Sequence, residues 1–255
     1  MIDFSYENID NAYDIISSKI IHTPLVTNDY INNLLQAEVY FKLENLQITG
    51  SFKIRGATHK IEKNTQNYKK GVVAYSSGNH AQAVAYAALQ NNLSAKIIMP
   101  KSAPKIKIDN TKSYNAEVIL YDTFFESREK IGNEIQEKEK RELIKPYDDI
   151  EIVAGQGTAA VEMVNDIKGL SFNPDIYLCC CGGGGLIAGT STYLKHHFPN
   201  IKSYSVEPVG FDDTKISLEK NIIIKNSKNS KSICDALLAP MPGEITFKIN
   251  QKNLA

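Results

Sequence analysis

Short β-branched and apolar runs alternate with longer amphipathic stretches along most of this chain, and that rhythm restricts its fold more than any other feature. Val72-Val73-Ala74-Tyr75 reads as a strand and precedes an alanine-rich helical pattern over 81–90. Ala95-Lys96-Ile97-Ile98-Met99 is a second strand, stopped by Pro100. Ala116-Glu117-Val118-Ile119-Leu120-Tyr121 is a third, followed by a charged helix reaching about Glu142. Beyond Gly155-Gln156-Gly157-Thr158 the pattern predicts another helix, then a strand over 176–181, a glycine loop, a helix and a strand over 203–206. Alternation of this kind predicts an α/β fold, a mostly parallel sheet covered by helices. The 255 residues suffice for one large domain or two lobes. A smaller lobe is expected at 71–149, with 1–70 plus 150–255 forming a larger one.

Several function classes fall away on composition. With 29 basic and 29 acidic residues the net charge is zero, so neither nucleic acid nor a membrane surface is an expected partner. The first residues carry no basic, apolar leader and no stretch has the length of a spanning helix, which makes the cytoplasm the expected compartment. Cys179, Cys180 and Cys181 end an apolar run and lack C-x-x-C spacing; they read as buried strand cysteines, not as metal ligands. His22, His59, His196 and His197 form no ligand or triad pattern. The alternating charges of 136–142 read as a solvated helix face, and 221–232, rich in Lys, Asn and Ser, as a surface loop.

Three segments carry chemistry. In Gly50-Ser51-Phe52-Lys53-Ile54-Arg55-Gly56-Ala57 one lysine lies among small residues, a setting suited to an amine that must shed water and a proton to condense with an aldehyde. Ser76-Ser77-Gly78-Asn79-His80 lies between a strand and a helix, at the edge of an open sheet where ligands bind, and the next helix offers unpaired N–H groups to an anion such as a substrate carboxylate. An ordinary helix cap of Ser and Asn would look similar. Gly182-Gly183-Gly184-Gly185-Leu186 follows a strand and opens a helix, which makes a cradle for phosphate. The loop also fits a loose dinucleotide pattern, Gly183-x-Gly185-x-x-Ala188, with Glu207 ending the next strand as a ribose-binding acid would. A nicotinamide oxidoreductase is therefore the rival reading. In Glu207-Pro208-Val209-Gly210-Phe211-Asp212-Asp213 three carboxylates gather within seven residues, which suits Mg²⁺ or Ca²⁺ as well as it suits a solvated acidic turn.

Taken with Ala154-Gly155-Gln156-Gly157-Thr158, these segments resemble the serine/threonine dehydratase–serine racemase family of fold type II pyridoxal-phosphate enzymes, over nearly the whole chain. The resemblance implies that Lys53 carries the cofactor as an imine, that Phe52 packs near its ring, that Asn79 bonds the ring hydroxyl and that residues 182–186 hold the phosphate. Ser76, Ser77, Asn79 and His80 would surround the substrate carboxylate. Glu207, the Phe211 carbonyl and Asp213 match the divalent-cation site of some members. The implied reaction is dehydration and deamination of a small β-hydroxy amino acid, L-threonine or L-serine, to a 2-keto acid and ammonia. With Ser77 as a second acid/base on the face opposite Lys53, racemisation is the alternative. Family members commonly form dimers, and the lack of a regulatory extension points to catabolism. Members also continue past the position of Ala255 with further sheet and helix, including a Ser, Thr or Cys on the pyridine nitrogen. About a fifth of a usual member's length is absent, which would leave core surface uncovered and makes an inactive, truncated member a further reading. Cys234-Asp235-Ala236 stands where Ala-Asp-Gly is commoner.

Overall fold

The computed structural model describes residues 2–170, 172–227 and 230–255. The chain opens with α1 (Tyr6–Ile16), the strand pair β1 (Leu25–Thr27) and β2 (Tyr40–Lys42) around α2 (Asp29–Leu35), then α3 (Lys53–Asn64). A first α/β unit follows: β3 (Val72–Tyr75), α4 (Asn79–Gln90), β4 (Ala95–Pro100), α5 (Lys105–Ser113), β5 (Glu117–Tyr121), α6 (Arg128–Glu139) and β6 (Glu142–Leu143). The second contains α7 (Ile150–Lys168), β7 (Ile176–Cys180), α8 (Gly185–His197), β8 (Lys202–Val206), α9 (Asp213–Lys220) and α10 (Glu244–Asn253). No helix among the described residues is long and apolar enough to cross a membrane.

The first sheet has the order β5-β4-β3-β6 and all its pairings are parallel. From β3 the chain steps outward through β4 and β5, then returns to place β6 on the other side of β3. That reversal is a topological switch point, and it leaves a crevice beyond the carboxyl ends of β3 and β6. The connections that leave those ends are residues 76–78 and 144–149. β7 and β8 form a second parallel pair. Their outer face, with Leu178 opposite Tyr204 and Cys180 opposite Val206, is exposed.

The predicted α/β alternation holds, with three local corrections. The charged helix stops at Glu139, not Glu142: Lys140 adopts a left-handed φ of 58°, and Glu142 and Leu143 pair with Val72 and Val73. Residues 154–158 lie inside α7 instead of preceding a helix. Their glycines permit backbone contact between helices. A Cβ on Gly155 would lie 2.6 Å from Gly56 Cα, and one on Gly189 would lie 2.7 Å from the Gly157 nitrogen. Glycine inside a helix costs up to about 1 kcal/mol, so three helices gain this close approach at a local penalty. The strand cysteines alternate: Cys179 and Cys181 are buried and Cys180 is exposed.

Helix α3 lies between the two units. Ile54, Ala57 and Ile61 share a core with Val72, Ala74, Ile97 and Ile152, while a second core joins Ile9, Val161, Val164 and Leu194 of α1, α7 and α8. Of the expected loop at 221–232, residues 228 and 229 lie outside the described residues; the described remainder is irregular, and Asn226 pins it by donating to the Ala239 carbonyl at 2.8 Å.

Candidate active site

The crevice beyond β3 and β6 is a cavity of about 260 Å³ whose walls include Lys53, residues 75–80, Tyr147 and the glycine loop. How the helices are capped explains what such a cavity can hold. Ser5, Asn28, Ser127 and Asp149 cap α1, α2, α6 and α7 through their side chains. Asp148 accepts from the Ile245 N–H at the start of α10, and Glu207 does the same for α9. In contrast, α3, α4 and α8 begin at Phe52, Gly78 and Gly184 with no side-chain cap, and all three starts line the cavity. Unpaired N–H groups and the positive ends of three helix dipoles thus converge on one space, which suits two anions. The alternative of Ser and Asn as ordinary caps for α4 does not apply.

Lys53 is the first residue of α3. Thr49 (φ 63°) and Gly50 (φ 73°) both adopt left-handed conformations and turn the chain into that helix. The Lys53 Nζ donates to the Pro146 carbonyl at 2.6 Å. Burial alone lowers its pKa from 10.5 to about 8, since a desolvated ammonium is disfavoured. An amine poised near neutrality can act as nucleophile or base.

Across from it, the Gly78 N–H donates to Ser76 Oγ at 3.2 Å, which sets the loop. Ser77 is exposed and Asn79 starts α4, both on the cavity wall. His80 is placed differently from a carboxylate-binding cation. Its ring is buried, its Nε2 lies 2.9 Å from the Ile144 carbonyl, and its pKa falls to about 3 through burial and the nearby Lys53 charge. A neutral ring donating to that carbonyl ties α4 to the end of β6; what His80 can offer an anion is its backbone N–H.

The glycine loop is held from behind. Thr246 Oγ1 donates to the Gly183 carbonyl at 2.7 Å and Asn250 Nδ2 to the Gly184 carbonyl at 3.5 Å. With the carbonyls held by α10, the loop's N–H groups remain for a ligand. Side chains are excluded: a Cβ on Gly183 would lie 2.3 Å from the Tyr147 ring, and Gly184 has φ +87°. Thr246, Asn250, Tyr147, Lys107 and Arg128 complete the site and its support without having stood out in the sequence. Thr246 and Asn250 were recoverable in principle, because i,i+4 polar residues share a helix face.

Two expectations around Glu207 are not supported. Its oxygens accept from the Thr214 and Lys215 N–H groups at 2.9 and 3.0 Å, so it caps α9 instead of reaching for a ribose. Phe211 is buried in the turn, and Asp213, pushed up to about 6 mainly by burial, accepts from Asn226. No group of three or more His, Cys, Asp or Glu among the described residues could hold a metal ion; the Mg²⁺ or Ca²⁺ reading of Glu207, Phe211 and Asp213 finds no support.

A desolvated lysine and two further uncapped helix starts line one cavity at a switch point, an arrangement able to take an aldehyde and a phosphate. Comparison with known proteins makes the class specific. The model of the pyridoxal-phosphate dependent enzyme family matches residues 16–255, and the chain belongs to that family. It is 39% identical to serine racemase of Schizosaccharomyces pombe, over 96% of this chain and 75% of that protein. It is 36% identical to L-threo-3-hydroxyaspartate ammonia-lyase of Saccharomyces cerevisiae, over 100% of this chain and 77% of that protein. Among solved structures, the threonine deaminase of T.th. superimposes with a TM-score of 0.92 at 36% identity, covering 98% of this chain and 80% of that one. The fold is accordingly that of the fold type II enzymes, a parallel sheet covered by helices.

The chain's residues fit this cofactor: Lys53 for its aldehyde and the side-chain-free loop 182–185 for its phosphate. Gly183→Val is expected to weaken cofactor binding at least about tenfold, because the new side chain must displace Tyr147 and unseat the loop. Titration of cofactor-free protein with pyridoxal phosphate measures it. Unchanged affinity would place the phosphate elsewhere.

Proposed function

We propose that this chain binds pyridoxal phosphate on Lys53 and dehydrates a small β-hydroxy amino acid, L-threonine or L-serine, to a 2-keto acid and ammonia. The observation that carries the reading is the Lys53 amine, enclosed and brought to about 8, between two uncapped helix starts. Bound there, the cofactor supplies an electron sink for charge developing at the substrate Cα. The protein does the rest. The first turn of α4, with Ser76, Ser77 and Asn79 beside it, would receive the substrate carboxylate; Asn79 would hold the cofactor's ring hydroxyl and Phe52 would pack beside its ring. Lys53 Nζ, when free, would take the proton from the substrate Cα. Residues 182–186 keep the phosphate in place, and the β-hydroxyl leaves as water.

Racemisation is a second reading of the same site, favoured by one observation: Ser77 is exposed and lines the same cavity as Lys53. Incubating the loaded enzyme with L-serine and measuring pyruvate and D-serine together separates the two. Pyruvate or ammonia release supports the lyase, D-serine without keto acid supports the racemase, and neither product sinks both.

Residues 1–70 plus 150–255 are assigned to the cofactor-holding lobe and 71–149 to the smaller one, in keeping with the sheet confined to 72–143. The fuller proposal is a cytoplasmic, catabolic dimer; sedimentation of the loaded protein tests its assembly.

A pH dependence follows from Lys53. The unfolded lysine, near 10.5, binds more protons than the folded one, near 8, so the stability of cofactor-free protein rises as pH climbs from 8 to 10.5, and the burial penalty is full below 8. Melting curves of wild type and Lys53→Met across that range should differ in slope, wild type gaining more. Parallel curves would mean that the amine is not desolvated.

A further inference from the structure

Helix α10 holds the glycine loop but has no cap of its own. Its N-cap residue is Gly243, which has no side chain to offer the first turn. The Asp148 carboxylate, from the connection between β6 and α7, takes that place. Its Oδ1 accepts from the Ile245 N–H at 2.8 Å, the bond that an N-cap side chain makes to the second residue of its helix. The seat is shaped for the carboxylate. Gly243 has an ordinary φ of −71°, so the backbone does not call for glycine there. Space does: a Cβ on Gly243 would lie 2.7 Å from the Asp148 carboxyl carbon.

The glycine loop depends on where this capped turn lies. The Gly243 N–H donates to the Gly183 carbonyl at 3.4 Å, in addition to the Thr246 and Asn250 bonds to the Gly183 and Gly184 carbonyls. Asp148 is not among the residues lining the cavity, although Pro146 and Tyr147 are, so it reaches a ligand only through α10. Its carboxylate is set against the positive end of that helix. Two residues earlier, the Pro146 carbonyl accepts from Lys53 Nζ. One short segment thus supports both the lysine and the loop.

We infer that Asp148 is a positioning residue for the cofactor phosphate: by capping α10 it fixes the Gly183 and Gly184 carbonyls, and so leaves the loop's N–H groups directed at the phosphate. The inference rests on the pyridoxal-phosphate reading above and deepens it, by naming the residue outside the cavity that keeps the loop competent.

The test titrates cofactor-free wild type, Asp148→Ala, Asp148→Asn and Gly243→Ala with pyridoxal phosphate and with pyridoxal, which carries the aldehyde without the phosphate. Asp148→Ala is expected to weaken pyridoxal phosphate about tenfold, the cost of a lost helix cap, and to leave pyridoxal within about twofold. Gly243→Ala should reproduce that selective loss, because its new methyl group displaces a carboxylate that is still present. Asp148→Asn keeps an oxygen on the Ile245 N–H and should stay within about threefold of wild type. Asp148→Ala and Thr246→Val together should cost less than the product of their separate losses, since the first acts through the helix that carries the second. Unchanged affinity in Asp148→Ala, equal losses for both aldehydes, or fully independent effects of Asp148→Ala and Thr246→Val overturn the inference. Inorganic phosphate gives a readout that needs neither aldehyde nor turnover: it should raise the melting temperature of wild type more than that of Asp148→Ala. An equal rise, or none in wild type, also overturns it. Protein that binds phosphate in this way but forms no imine or releases no ammonia would sink the lyase reading and leave this inference standing.

Discussion

Lys53→Ala is expected to bind pyridoxal phosphate without the visible band of a covalently held cofactor, and to lower ammonia release at least about 10³-fold. Two losses combine in this variant. The aldehyde has no amine to capture it, and the Cα proton has no base at the position where Nζ stands. Lys53→Arg should fail as completely, because a guanidinium stays charged and does not condense. Lys53→Ala should not unfold the protein, since among the described residues the ammonium meets the Pro146 carbonyl and the face of the Phe52 ring and its burial is itself unfavourable at neutral pH. Absorbance, ammonia assay and circular dichroism on the same samples decide it. A variant that keeps both its fold and its turnover would remove Lys53 from the mechanism.

Arg55→Met should be the most destabilising single change in the lysine's own helix. Arg55 is fully buried two residues beyond Lys53 and bonds Glu44 and Glu162, with four contacts of 2.8 Å. Lys42 adds a second cation to Glu162 at 2.8 Å. Breaking a buried ion pair by removing one partner costs about 3–5 kcal/mol, because it leaves charge uncompensated. Here two carboxylates would be left, Glu162 with its side chain 1% exposed. For a chain of this size the melting temperature should fall by about 10 °C. The sign with pH is specific. In wild type, burial pushes the Glu162 carboxyl up but Arg55 and Lys42 together outweigh it and hold the group below its usual range, so this stabilisation is present above the unfolded pKa and disappears as pH falls through the folded one. Arg55→Met should therefore lose more relative to wild type at pH 7 than in acid. Melting curves at the two pH values measure it, and a loss under about 1 kcal/mol, equal at both, would contradict the ionic account. The consequence for function is indirect: Arg55 ties α3 to α7, and α3 carries Lys53.

What could be read from the sequence was local. Lys53, the 76–80 loop and the four glycines announce themselves because each needs unusual residues at consecutive positions. The alternation that predicts the parallel sheet is equally local, since a strand or helix face repeats within a few residues. The rest depends on partners far along the chain. The sequence pattern starts a helix only after 155–158, because two glycines lower helix propensity there; only the nearness of Gly56 and Gly189 shows why a helix tolerates them. Tyr147 is an ordinary aromatic until its ring is seen against Gly183. The resemblance groups His80 with the carboxylate-binding residues, yet burial and the Ile144 carbonyl leave its backbone N–H, not its ring, for that task. The acidic turn at 207–213 shows the reverse error, in which clustered carboxylates suggested a cation and one of them is a helix cap.

The most direct test of the account is chemical mapping of the cofactor. Cofactor-free protein would be loaded with pyridoxal phosphate, reduced with borohydride, digested and analysed by mass spectrometry. The account predicts one modified peptide, carrying the reduced cofactor on Lys53. Modification at another lysine, or none after saturation, would contradict the assignment on which the proposed chemistry stands.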